Sequence, residues 1–132
     1  IGQLDRAQGV VYDRQRALFY ADHNHNLDEA LTLARGELRF RHDIYTHDTL
    51  AWVLYKKGRL SEAAAASERA LKWKTRDASL WYHAGAIAAA QGQKARAREH
   101  LQQALSINPS FHPTAPAHAR ALLSRLGTAK SG

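Results

Sequence analysis

Apolar residues along this chain recur at intervals of three and four, not two. From Leu60 onward, Leu60, Ala63, Ala64, Ser67, Ala70 and Leu71 fall on one face of a 3.6-residue helix, while Glu62, Glu68, Arg69 and Lys72 fall off it. No segment sustains the alternation of a strand, and Val and Ile are scarce. The pattern therefore predicts helices throughout. Their ends are also marked. Asn26 with Glu29 three residues on reads as a capping box. Asp43 and Asp77 read as N-caps, and Asn108–Pro109 as a stop. Alanine accounts for 25 residues against 8 Gly and 3 Pro, a composition that costs little side-chain entropy in helices.

The helical pattern repeats. The segments beginning at Asn26, Arg59 and Gln93 align, with landmarks at Ala30, Ala63 and Ala97 followed by Leu38, Leu71 and Leu105. An aromatic-bearing helical stretch precedes each segment. Gly58 and Gly92 punctuate the turn in the second and third units, with His25 in the matching place of the first. The unit is helix, tight turn, helix, short linker. Ala63 and Ala97 face Ala51 and Gly85 where antiparallel helices must approach closely. One hairpin cannot bury both its faces, so stability must come from stacking on neighbours. The expected layout is one domain over 1–132: repeats at about 11–43, 44–77 and 78–111, then a capping helix at about 114–126 ended by Gly127. In that helix Leu122, Leu123 and Leu126 would cover the end of the stack, with Arg120 and Arg125 in water and residues 128–132 frayed.

These landmarks resemble the tetratricopeptide repeat family from about Val11 to Phe111. The third unit carries Trp81, Ala84, Gly85, Gly92, Ala97, Leu101, Ala104 and Pro109 at signature places. The second keeps Leu50, Ala51, Leu54, Gly58, Ala63, Ala70 and Leu71 but has His47 for the usual Trp and Thr75 for the Pro. The first is degenerate: Arg14, Leu18, Ala21 and Glu37 stand where Trp, Gly, a bulky residue and Ala are typical, while Leu27, Ala30 and Leu38 are kept. The resemblance implies an all-α, right-handed α-solenoid whose first helices line a concave groove for a peptide or helix of a protein partner. By alignment that groove is lined by Tyr12, Gln15, Phe19, Tyr45, Asp48, Trp52, Tyr55, Lys56, Ser79 and Tyr82. The competing reading is that several of these aromatics pack between repeats. Some relatives clamp a partner's C-terminal carboxylate with Lys and Asn. Here Gln15, Phe19, Asp48 and Trp52 stand at those places, and Asp48 would repel a carboxylate. An apolar or cationic partner segment fits the aromatic lining better.

Chemistry elsewhere in the chain is sparse. With 132 residues, 45% hydrophobic and 23% charged, the chain has the composition of one globular domain. It has no Cys, hence no disulfide or zinc–thiolate site. It has no Met even at position 1, so a piece of a longer product is expected. No signal peptide or membrane span is legible, and no compartment can be assigned. The eight His include the groups Asp22, His23, His25 and His42, Asp43, His47, Asp48, whose spacings match no metal motif, so no metal or cofactor is expected. Nucleophile-elbow, P-loop and dinucleotide motifs are absent, and the reading is of a non-enzyme. The formal charge of +7 gathers at Lys56, Lys57, Arg59, Arg69, Lys72, Lys74 and Arg76, then at Lys94, Arg96 and Arg98. This supplies an alternative function, a basic surface for nucleic acid or another polyanion. A third reading is structural self-association through an apolar N-terminal face at Leu4, Val10 and Val11.

Overall fold

A computed structural model describes residues 13–112 and 114–131, with side chains to residue 126, and among these residues seven helices are joined by short turns. Helix α1 covers 13–22, followed by α2 (Leu27–Glu37), α3 (Ile44–Lys56), α4 (Leu60–Ala70), α5 (Ala78–Ala90), α6 (Lys94–Ile107) and α7 (Ala115–Ser131). Among the described residues there is no strand, and the fold is all-α. Contacts gather the chain into two compact units, one ending at Ala70 and the other beginning at Leu71. The division falls after the second helix of a repeat.

In unit 1 small residues form the core: Ala17, Ala21, Ala30, Ala34, Ala51 and Ala63 are fully buried, with Val53, Leu54 and Trp52 beside them. Asp43 caps α3, its carboxylate accepting the backbone N–H of Thr46 at 2.9 Å and the Thr46 hydroxyl at 3.1 Å. The turn between α3 and α4 is closed by Gly58 at φ 82°, with its N–H on the Tyr55 carbonyl and the Arg59 N–H on that of Leu54. This left-handed closure is the Schellman arrangement, which glycine adopts without a Cβ penalty. Two expectations are corrected here. The residue equivalent to Gly58 in the α1–α2 turn is Asn24, at φ 53°, not His25: the Asn24 N–H meets the Ala21 carbonyl and the His25 N–H that of Tyr20. Asn26 forms no capping box. It is left-handed too, at φ 49°, and its side chain makes no capping hydrogen bond, because a cap reaches the helix from extended backbone.

Unit 2 packs more tightly. Nine of the thirteen residues of α5 are buried. Gly85 on α5 meets Leu101 on α6 so closely that a Cβ there would lie 2.7 Å from the Leu101 Cγ and Cδ2. The Asp77 carboxylate caps α5 through the Ser79 N–H at 3.0 Å. The α5–α6 turn repeats the Schellman closure at Gly92. Helix α7 packs against both α5 and α6. Its buried residues are Ala115, Pro116, Ala119 and Leu126, while Leu122 and Leu123 are half-buried and Arg120 and Arg125 exposed. It does not stop at Gly127 but continues to Ser131. One glycine in a helix costs only about 1 kcal/mol, too little by itself to end one.

Candidate functional site

Two contacts fix how α1 and α3 lie in unit 1. The Arg14 guanidinium sits 5.9 Å from the centre of the Tyr45 ring. The Trp52 indole N–H donates to Asp22 Oδ1 at 2.9 Å. The pairs advance together along both helices, so α1 and α3 run side by side in the same direction, with Gln15 and Phe19 level with the Tyr45–Trp52 stretch. Phe19 is 56% exposed and Tyr45 40%. The Phe19 ring lies 4.2 Å from that of His23.

The expected groove residues divide by burial. Gln15, Phe19 and Tyr45 are exposed, and Tyr55 and Lys56 half-buried. Asp48 and Trp52 are interior, 6% and 3% exposed. Trp52 therefore has little surface to offer a ligand. It stacks on Tyr55 at 4.9 Å, and the Lys56 ammonium lies 5.1 Å from its ring centre. Burial pushes the Tyr55 hydroxyl above the usual tyrosine range, so it stays neutral. In unit 2, Ser79 is half-buried at the start of α5. Tyr82 is interior: Phe111 and His118 pack on its ring, and its hydroxyl lies 2.5 Å from His118 Nδ1. Helix α7 thus covers the Tyr82 position. Tyr12 lies outside the described residues, as do Leu4, Val10 and Val11.

The two most exposed large apolar side chains among the described residues were not among the expected site residues. They are Phe40, 65% exposed in unit 1, and Trp73, 71% exposed in unit 2. Both occupy the same place in their repeats, 33 residues apart, between basic neighbours in Arg39-Phe40-Arg41 and Lys72-Trp73-Lys74.

Unit 1 also buries a carboxyl group. Glu37 is 3% exposed and neither of its oxygens has a hydrogen-bond partner. Burial raises its pKa and Asp43 adds to the effect, against the opposing pull of Arg14, Arg41 and the nearby Thr46 hydroxyl. It lines a cavity of about 170 Å³ with Asp13, Thr32 and Phe40. Burial likewise lowers the pKa of His47, helped by Arg69 and His42. His42 and His47 do not converge on a metal position, and no group of three His, Asp or Glu does so among the described residues. No helix among these residues is long and apolar enough to cross a membrane.

Family models for the tetratricopeptide repeat match residues 45–77 and 78–111, together half of the chain. No curated protein sequence matches it. Repeats of this family mediate protein–protein interaction and are typically non-catalytic scaffolds. With the hairpins, their glycine-closed turns and the Gly85–Leu101 contact all at the repeat's landmark positions, the chain belongs to the tetratricopeptide repeat family.

Proposed function

We propose that this chain is a protein-interaction module that receives a partner's peptide or helix on the α1–α3 face of unit 1. The supporting observation is the pair of exposed aromatics, Phe19 and Tyr45, on neighbouring helices laid side by side. Aromatic side chains give large contact area at small entropic cost and are enriched among binding hot spots. Arg14 and Lys56 already sit against Tyr45, Trp52 and Tyr55, so the face disfavours a cationic segment and suits an apolar one. Gln15 and Tyr55 complete the contact, and the buried Trp52 and Asp48 hold it in place.

The test uses Phe19→Ala with Tyr45→Ala, because truncating the interior Trp52 would disturb the fold along with the surface. A photo-crosslinking residue at position 19 or 45 should capture a protein partner from the source organism's lysate. The folded double variant should lose that partner in an ordinary pulldown. Retention of the same partner by the double variant, or crosslinking as efficient from the exposed position 68 on α4, would falsify the assignment of this face.

A further inference from the structure

All of the chain's net charge resides in unit 2. Residues 1–70 contain ten basic and ten acidic side chains, residues 71–132 nine basic and two acidic. One of those two acids, Asp77, is occupied in capping α5. Among the described residues the ion pairs Arg16–Asp13, Arg16–Glu29, Arg35–Glu62, Arg41–Asp43 and Lys57–Asp28 all lie in unit 1. Among the described residues of unit 2, no ion pair engages Lys72, Lys74, Arg76, Lys94 or Arg96.

Trp73 stands in that basic field. The residue is 71% exposed and the Lys72 ammonium lies 5.1 Å from its ring centre. The turn that carries it is braced. The Lys74 N–H bonds the Leu71 carbonyl at 2.9 Å, with Lys74 itself at φ 52°. The Thr75 carbonyl accepts from both the Asp77 N–H and the Trp81 indole N–H, at 2.9 and 3.0 Å. An aromatic plane presented on a fixed turn loses little entropy when something stacks on it. Unit 1 supplies an internal contrast. Phe40 has the same place and basic neighbours, but Arg41 pairs with Asp43 at 3.9 Å, and Asp13 and Glu37 line the cavity that Phe40 borders.

We propose that the Lys72–Arg76 turn of unit 2 is a binding site for single-stranded nucleic acid, with a base stacked on Trp73 and the flanking phosphates on Lys72, Lys74 and Arg76. Every base offers a flat face to an aromatic platform, and the backbone supplies negative charge on both sides of it. An anionic bilayer fits less well, because interfacial binding grows with buried apolar area. Trp73 is the one exposed large apolar side chain of unit 2 among the described residues. An acidic peptide would answer the charges but leave the ring without a planar partner. The site shares no residue with the α1–α3 face of unit 1, and either proposal can fail without the other.

The experiment measures fluorescence anisotropy of a labelled oligouridine against the whole chain at several salt concentrations between about 50 and 200 mM. Trp73→Ala should weaken binding roughly 5- to 160-fold, the loss of one stacked base, with the salt slope unchanged. Lys72→Ala with Lys74→Ala should reduce the slope of log K against log salt by about 1.4, two phosphate contacts on a single strand. Phe40→Ala should leave affinity and slope as they are, and circular dichroism melts establish that each variant is folded. The proposal is overturned by absence of saturable binding at low salt, or by binding that Trp73→Ala leaves intact. It is equally overturned if polyglutamate or phosphatidylglycerol vesicles displace the oligonucleotide at matched charge concentration, since charge alone would then account for the site.

Discussion

Units 1 and 2 are built from the same hairpin yet solve their surfaces in opposite ways. Unit 1 balances ten basic against ten acidic residues, joins some of them in five ion pairs among its described residues, and exposes Phe19, Phe40 and Tyr45. Unit 2 shows no ion pair among its described residues, exposes Trp73, and interlocks its helices at Gly85 and Leu101. The repeat constrains the positions where helices cross, which must be small, and the turns, which need left-handed backbone. It places little demand on outward-facing residues, so these are free to diverge. The divergence reaches the interior at matched places. Trp81 in unit 2 packs on His100 and donates to the Thr75 carbonyl. His47, its counterpart in unit 1, buries an Nδ1 with no hydrogen-bond partner.

The largest effect should come from the interlock. Leu101→Ala is expected to destabilise unit 2 by about 2–5 kcal/mol in denaturant titration, through lost burial and the cavity left behind. Gly85→Ala should cost about 1–3 kcal/mol by overpacking, and less in the Leu101→Ala background, where the clashing atoms are gone. If the two losses simply add, the contact does not constrain the hairpin as described.

Next comes the buried carboxyl of unit 1. Glu37→Met should raise stability at neutral pH by about 1–3 kcal/mol by removing unpaired polar atoms from the interior. The folded pKa of Glu37 is raised, so the native state holds its proton more tightly than the unfolded chain does. Wild-type stability therefore falls as pH rises through that window. The gain from Glu37→Met should shrink on acidification, and pH-resolved thermal melts read both.

Histidine produces the opposite slope. Burial lowers the folded pKa of His47 and His100, so below about pH 6.5 the unfolded state takes up protons first and stability falls. His47→Trp should flatten that loss and strengthen unit 1, bringing it closer to its Trp81-bearing counterpart. A melt that loses as much between pH 7 and 5 in this variant as in the wild type would assign the slope to other groups. The smallest effect belongs to the surface pairs. Lys57→Ala breaks a pair whose partner, Asp28, is 95% exposed, and should barely move the melting temperature, less still in high salt.

Much of this molecule is determined by its sequence alone. The 33- and 34-residue spacing of Ala30, Ala63 and Ala97, the glycines at the turns and the caps at Asp43 and Asp77 are local signals, and local backbone chemistry is enough to realise them. The Asn24–Asn26 turn was misread by one residue because two asparagines adopt the left-handed backbone there, and the sequence does not say which will close the helix. Burial was the part that only tertiary structure decided. Trp52, Asp48 and Tyr82 align with surface positions of the repeat, yet each is interior: Trp52 bonds Asp22 from the neighbouring helix, and Tyr82 lies beneath α7. Phe40 and Trp73 look like core residues by type and are the most exposed of the large apolar side chains described. Periodicity assigns a residue to a face of its own helix. What covers that face depends on residues tens of positions away, and only packing determines which of them arrive.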